Sequence, residues 1–355
     1  MIILGSTGSI GVNTLEIAHK FNLEIEVLVA GKNIKLLNTQ IEKFKPKKIV
    51  IASKNDVKDV KHKNVSYGED AILEAIENAN SNIVVNALVG FLGLKPTLKA
   101  IECGKKLALA NKESLVVAGK FIDKSNLRAI DSEHFGLWYL LQDKLIDSMT
   151  ITASGGSFRN YPLGKLKDVS IKEALNHPNW KMGNKITIDS ATMTNKMFEL
   201  IEAAWLFNTK KIDAIIEPKS LIHAFINFKD GSTTAHFANT SMQLPIAYAI
   251  LGKVAEEILK PVNLLEISNL EFRKIEIQRY PIWKLKDEIL NNLDLGVVLN
   301  ASNELAVSKF LNNKIGFLDI SKICLNAVEK FNDIKISSIE DIFEIDKEVR
   351  RYCAF

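Results

Sequence analysis

Short apolar runs alternate along the first 130 residues with stretches whose apolar positions recur at helical spacing. "IILG", from Ile2, is followed by "VNTLEIAHKF", then "IEVLVAG", "IKLLNTQIEKF" and "KKIVIAS". This alternation predicts a βαβαβ series, and therefore a parallel sheet with helices on both faces. "NIVVNAL", "LKPTLKAIECG" and "KKLALANK" continue the rhythm. The pattern then changes. "DGSTTAHFANTSMQLPIAYAIL" reads as sheet turning into helix, and residues 256–280, with Pro261, "ISNLEF" and "RYPIW", predict an irregular, partly extended linker. From Ile282, "IWKLKDEILNNL", "LNASNELAVSKFL" and "ISKICLNAVEKF" have helical periodicity. The expectation is an α/β chain with a parallel-sheet domain over 1–131, a central α+β domain over 132–255, the linker over 256–280 and a small helical domain over 281–355.

The opening strand runs into "GSTGSIG", which places Gly5, Gly8 and Gly11 between a strand and a helix. Glycines in that context let backbone N–H groups approach a pyrophosphate at the positive end of a helix. The spacing is G-x-x-G-x-x-G, not G-x-G-x-x-G, so a purely structural turn stays open beside the nucleotide reading. The second strand sharpens the choice of nucleotide. It ends in Gly31, Lys32 and Asn33 with no acid to accept a ribose 2′-hydroxyl. Lys32 is suited to a 2′-phosphate, which favours NADP over NAD; the plainer alternative is an exposed lysine in a turn.

Composition narrows the classes. With 355 residues, 47% hydrophobic and 25% charged, the chain reads as a multi-domain globular protein. A net charge of +4, spread out, argues against a nucleic-acid surface. The apolar runs are too short for a membrane span, and no signal peptide is expected before the first strand. Three cysteines without a CxxC pair disfavour a disulfide framework or a thiolate zinc site and favour a reducing cytoplasm.

Candidate chemistry lies in the middle of the chain. "LRAIDSEH" predicts a short strand that ends in Asp131, Ser132, Glu133 and His134, with Asp131 and Glu133 on one side of an extended backbone. Paired carboxylates there suit a hard cation such as Mg²⁺ or Mn²⁺, or are simply solvated. Farther on, "KITID" predicts a strand leading to Ser190, followed by a helix. On that helix Lys196, Glu199 and Glu202 share one face, beside a core stripe of Met193, Met197, Leu200 and Ala204. A Lys–Glu pair at this spacing is ordinarily a surface ion pair, but Ser190, Asn195 and Lys196 are also donors suited to a phosphate. Between these segments, Ser154-Gly155-Gly156 offers a flexible phosphate contact. His177-Pro178-Asn179-Trp180 puts a titratable ring and a large aromatic in one loop, and Trp180 either closes over a ligand or packs into the core.

Together these stretches resemble the 1-deoxy-D-xylulose 5-phosphate reductoisomerase family. "GSTGSIG", "LANKESLV", "DSEH", "SGG", "HPNW", "DSATMTNK" with Glu199, "IHAFINFKDGS", "PIAYA" and "LNASNE" carry the likeness. It implies a Rossmann-like N-terminal domain and an NADPH- and divalent-metal-dependent rearrangement and reduction of the phosphorylated ketose. Thr7, Gly8, Ser9 and Ile10 would hold the pyrophosphate, with Gly31, Lys32 and Asn33 near the 2′-phosphate and Asn111 and Glu113 as further cofactor contacts. Asp131, Glu133 and Glu199 would ligate Mg²⁺ or Mn²⁺, with Co²⁺ a further candidate. Ser154, Ser190, Asn195 and Lys196 would grip the substrate phosphate, with His177 nearby. Lys112 and Ser132 would contact substrate oxygens, Trp180 and Met182 would belong to a lid, and Glu202 matches a further family acid. Lys112, Asp131, Glu133 and Glu199 are thus the expected catalytic set, in a cytoplasmic homodimer that binds neither nucleic acid nor membrane. Ser157 stands where the family has Pro, and "NKMFE" is bulkier than "NKGLE"; neither change removes a functional group. Two competing readings are a semialdehyde-dehydrogenase-type enzyme, which needs a nucleophilic cysteine, and a non-catalytic NADP-binding sensor.

Overall fold

The computed structural model describes residues 1–354, which form two compact units. The first unit comprises Met1–Ser114, Ile122–Asp131 and Ser241–Leu259. Its strands are β1 (Ile2–Leu4), β2 (Val27–Ala30), β3 (Lys48–Ile51), β4 (Val65–Tyr67), β5 (Ile83–Asn86), β6 (Lys106–Leu109) and β7 (Leu127–Ala129). All pair in parallel, in the order β4-β3-β2-β1-β5-β6-β7. The central strands β1, β2, β3 and β5 are near-continuous Ile, Leu and Val because helices cover both faces of such a sheet. The order reverses at β1, beside β5, and a sheet of this kind opens a crevice beyond its strand ends at that point.

The glycine turn follows β1 at that reversal. Gly5 has φ +87°, and a Cβ there would lie 2.6 Å from the Ala87 carbonyl oxygen just past β5. Helix Ser9–Lys20 and helix Ile34–Phe44 bury Leu15, Ile17, Leu37 and Ile41 against Ile3, Leu28, Ile49 and Val85. Helix Gln243–Leu251 joins the same core through Ile246 and Ala247, both fully buried. It therefore packs with this unit, although the sequence reading grouped it with residues 132–255. Its almost wholly apolar surface is satisfied by the parallel sheet's core.

The second unit comprises Leu115–Phe121, Ser132–Thr240 and the chain from Lys260 onward. Its sheet contains β8 (Ile146–Ala153), β9 (Ile212–Ile216), β10 (Ile222–Phe228) and β11 (Thr233–Phe237), ordered β11-β10-β8-β9. β8 and β9 are parallel and the other pairs antiparallel. Helices Lys286–Asn291, Leu295–Leu311, Phe317–Lys330 and Ile339–Ala354 make the helical C-terminal region. A second core joins Phe158, Ile188, Ala306, Phe310 and Phe317, so the loops after β8 and the C-terminal helices share one apolar cluster.

Two local expectations are corrected here. Asp131 and Glu133 do not alternate along a strand. β7 ends at Ala129, Asp131 follows it, and Ser132–Leu140 is a helix with Glu133 in its first turn. Gly136, inside that helix, is a poor helix former and masks its local signal. A Cβ at that position would lie 3.1 Å from Ala224 Cβ, so the glycine lets the helix sit close on β10. "KITID" is likewise helix, within Asn184–Thr192. Its β-branched residues imitate a strand, but Thr187, Ile188, Asp189, Ala191 and Thr192 are all buried, and burial overrides that weak local preference.

Candidate active site

In the first unit, the backbone N–H groups of Gly5 and Ser6 donate to the Val29 carbonyl at 2.9 and 2.8 Å. This pins the turn to the end of β2. Thr7 and Ile10 are half-buried, and Gly8 and Ser9 are exposed. Gly8 is the N-cap of helix Ser9–Lys20 and contributes no side-chain capping bond, so the helix's first turn presents its N–H groups outward. That is the donor set a pyrophosphate needs, and no side chain crowds it. Gly31, Lys32 and Asn33 follow β2 on the surface, and Asn33 Oδ1 caps the next helix by accepting from Leu36 N–H at 3.2 Å. Lys32 has an open approach on its Gly31 side, where a Cβ would meet nothing within 4 Å.

Asn111, Lys112 and Glu113 follow β6 and are buried. Asn111 Nδ2 donates to the Leu88 and Gly90 carbonyls at 2.9 and 2.8 Å and to Glu113 at 3.0 Å, while its Oδ1 accepts from Ser114 N–H at 3.1 Å. Asn111 thus organises the exits of β5 and β6. Lys112 Nζ pairs with Asp131 Oδ2 at 2.8 Å, so these two sequence-predicted residues meet.

The second unit gathers most of the rest. Helix Asn184–Thr192 ends where Met193 turns left-handed at φ +72°, and helix Thr194–Phe207 begins at once. This break sets Ser190 just before the corner and Asn195, Lys196 and Glu199 just after it. Lys196, 4% exposed, pairs with Glu199 and, at 3.3 Å, with Glu133. Carboxylate oxygens of Glu133 and Glu199 lie within 4.8 Å of each other. Asn195 Nδ2 donates to Glu199 Oε1, and Ser132 Oγ to Glu133 Oε2 at 2.7 Å. The Lys–Glu pair is therefore no surface ornament. Two carboxylates converge on one ammonium, and Lys196 stands where the donor set demands a cation. His134 pairs its Nε2 with the Glu199 backbone carbonyl at 2.9 Å, and its Nδ1 is 3.8 Å from Glu202.

A second group surrounds His177. Its Nδ1 accepts N–H bonds from Asn179 at 3.2 Å and Trp180 at 2.9 Å, which leaves the ring proton on Nε2. Nε2 is 2.9 Å from Ser154 Oγ and 3.2 Å from Ser190 Oγ. Burial, with the Arg159 guanidinium nearby, holds His177 down to about 4, so the ring is neutral. Two predicted phosphate contacts, Ser154 and Ser190, thereby share one neutral hub. Trp180 and Met182 are half-buried; the Trp180 ring sits 6.3 Å from that of His223. Sequence reasoning missed Arg159 and Tyr280, which hold the Ser154 loop through backbone carbonyls. Arg159 reaches back five residues to Ser154, but its tie to Pro218 and the Tyr280 bond to Gly155 span 59 and 125 residues, which no local pattern marks.

A family model described as 1-deoxy-D-xylulose 5-phosphate reductoisomerase matches residues 1–119, and models of C-terminal domains of that enzyme match 127–207 and 237–352. The chain belongs to the 1-deoxy-D-xylulose 5-phosphate reductoisomerase family. A reductoisomerase from Nautilia profundicola is 58% identical over 361 residues, with 99% of each chain covered. Another, from Campylobacter hominis, is 55% identical over 99% of this chain and 98% of its own. Among solved structures, the Zymomonas mobilis reductoisomerase in complex with NADPH matches with TM-score 0.89 and 34% identity, covering 99% of this chain and 97% of that one. A reductoisomerase in complex with NADPH, fosmidomycin and magnesium matches with TM-score 0.91 at the same identity and coverage. The seven-stranded parallel sheet, the second sheet and the helical C-terminal region are the architecture of this family.

Proposed function

We propose that this chain converts 1-deoxy-D-xylulose 5-phosphate to 2-C-methyl-D-erythritol 4-phosphate with NADPH and a divalent cation. The observation that carries the reading is the convergence of half-buried Glu133 and buried Glu199 on one buried positive charge. Asp131, two residues before Glu133, completes the proposed ligand set. Carboxylate oxygens suit Mg²⁺, and the same set accepts Mn²⁺ or Co²⁺. When bound, the cation stabilises negative charge developing on substrate oxygens and NADPH supplies the hydride.

The chain's own residues do the rest. Residues 1–131 carry the cofactor contacts, with Thr7, Gly8, Ser9 and Ile10 at the pyrophosphate, Gly31, Lys32 and Asn33 at the 2′-phosphate, and Asn111 and Glu113 beyond them. Lys112, a desolvated ammonium paired with Asp131, is placed to donate to substrate oxygens, as is Ser132. Ser154, Ser190, Asn195 and Lys196 bind the phosphate, with the His177 Nε2–H as a neutral donor. Binding energy from that phosphate, remote from the reacting carbons, orients the substrate and holds Trp180 and Met182 over it to exclude water. No side-chain nucleophile is needed.

A semialdehyde-dehydrogenase chemistry is disfavoured by the thiols. Cys324 is buried and pushed up to about 12 by desolvation, burial raises Cys353, and Cys103 caps the end of helix Leu94–Glu102. The free cysteines support a reducing compartment, and no described helix is long and apolar enough to cross a membrane. We place the protein in the cytoplasm as a homodimer joined through its central residues 132–255, a reading supported by the exposed apolar side chain of Phe237 among them.

The deciding experiment follows NADPH absorbance with purified protein and deoxyxylulose phosphate, with and without EDTA. Oxidation that EDTA abolishes and Mg²⁺ restores is expected. Glu133→Gln is expected to lower turnover by on the order of 100-fold or more while NADPH affinity is retained. Near-normal turnover of that variant at low Mg²⁺ rejects the ligand assignment, and an inert wild type supports the sensor reading.

A further inference from the structure

Three chain segments that approach the phosphate group's proposed contacts are tied together by one guanidinium. Arg159 Nη1 donates to the Ser154 carbonyl at 3.0 Å and to the Pro218 carbonyl at 2.8 Å, and reaches Asn179 Oδ1 at 3.4 Å. Asn179 Nδ2 repeats the tie, donating to the Pro218 carbonyl and to Ser220 Oγ, both at 2.7 Å. Ser154 begins the glycine loop after β8, Asn179 lies in the His177–Trp180 loop, and Pro218 and Ser220 lie in the β9–β10 turn. Gly155 and Gly156 have φ of +85° and +67°, a backbone path that Arg159 and the Tyr280 hydroxyl, 2.7 Å from the Gly155 carbonyl, hold in place. The same Asn179 donates its backbone N–H to His177 Nδ1, the bond that puts the ring proton on Nε2.

We infer that Arg159 is a positioning residue. It holds the Ser154 loop and the His177 loop against the β9–β10 turn, so that His177 presents a single Nε2–H donor between the Ser154 and Ser190 hydroxyls to the substrate's phosphate group. The inference rests on the proposed phosphate site. Arg159 acts through Ser154 and His177 and need not touch the phosphate; its Nη1 makes all three contacts, and a lysine Nζ ends one bond short of that position. Loss of the brace leaves the loops free to separate, and the cost falls on binding of the phosphate group and not on hydride transfer.

The test uses the full chain with Arg159→Met, Arg159→Lys and Asn179→Ala. Arg159→Met is expected to raise the KM for deoxyxylulose phosphate by on the order of 10-fold or more with kcat changed far less, and to weaken binding of inorganic phosphate by a similar factor. Arg159→Lys is expected to recover only part of this, and Asn179→Ala to show the same pattern more weakly. A second readout is the ¹⁵N shift pair of the His177 ring in the ligand-free chain. The wild type should show one Nε2–H tautomer, and the Met variant a tautomer mixture. That signature needs no turnover, so it stands even if the wild type proves inert towards deoxyxylulose phosphate. Unchanged KM together with an unchanged ring signature in the Met and Ala variants overturns the proposal. Should the Met variant fail to fold, the Lys and Ala variants decide on the same two readouts.

Discussion

Gly11 and Gly8 look alike in the sequence and differ completely in what surrounds them. A Cβ on Gly11 would lie 2.3 Å from the Gly5 carbonyl oxygen and 2.5 Å from Ser6 Cα, both backbone atoms with no freedom to move aside. A Cβ on Gly8 would meet only the Gly5 carbonyl, at 3.3 Å. Gly11 therefore sets how closely the first helix packs on its own turn, whereas Gly8 leaves space in front of the helix N-terminus. Gly11→Ala is expected to cost about 1–3 kcal/mol of stability, as overpacking does, and to weaken NADPH binding at least 10-fold. Gly8→Ala presses the Gly5 carbonyl only lightly and replaces a glycine N-cap, so it is expected to lower the urea midpoint clearly less than Gly11→Ala does. Equal midpoints for the two variants would contradict this account of the turn. The spacing of the glycines was legible from the residues alone, but which of them is sterically obligatory was not, because the atoms that forbid a methyl group come from a fold-dependent approach.

At the scale of elements, the corner between helices Asn184–Thr192 and Thr194–Phe207 does most to assemble the site. The first helix is anchored by Asp189, 1% exposed, which pairs with Lys185 one turn earlier at 2.9 Å and accepts from Asn303 Nδ2 at 2.8 Å. Asn303 belongs to helix Leu295–Leu311, so a buried carboxylate ties the C-terminal helices to the residue preceding Ser190. Lys185→Ala leaves that carboxylate with Asn303 and no opposite charge. A loss of about 3 kcal/mol is expected, of the size found when one partner of a buried pair is removed. It should appear as a lowered urea midpoint, and a midpoint within error of wild type would show the pair to be idle. This corner also marks the limit of sequence reading. The parallel strands, the helices flanking them and the apolar positions Met197, Leu200 and Ala204 were legible because each follows a clean period, whereas Met193, read as part of that stripe, is buried at the left-handed break before the helix. "KITID" and "DSEH" were misread because β-branched residues or a helical glycine mask the period where tertiary burial decides the outcome. The site residues themselves were legible mostly as a resemblance. The burial of Lys196 between two acids, and the role of Arg159, depend on contacts that no local window contains.

For the whole molecule, buried neutral groups set the pH range of stability. Burial holds His177 and His236 down to about 4, helped by Arg159 for the first and by His223 for the second. His236 is 6% exposed and is packed by Phe135, Tyr139 and His223, with ring centroids 5.3, 5.4 and 5.9 Å away. In the unfolded chain both rings take a proton near their ordinary value of about 6.5. Between that pH and about 4 the unfolded state binds more protons than the folded one, so stability declines as pH falls through the window. The sign reverses on the alkaline side. Cys324 and Tyr280, both raised to about 12 by burial, stay neutral in the fold while their unfolded counterparts ionise near their ordinary values of 9 and 10. Stability should therefore hold a plateau from about pH 6.5 to about 9 and fall on both sides. His236→Phe removes one of the two acid-side terms while keeping an aromatic ring against Phe135. It is expected to flatten the decline between pH 6.5 and 4 by on the order of 2 kcal/mol. Urea midpoints measured across that range for wild type and variant check the claim. Parallel curves for the two proteins would mean that His236 already carries a proton in the fold, and that the aromatic cage tolerates a charge which its burial should exclude.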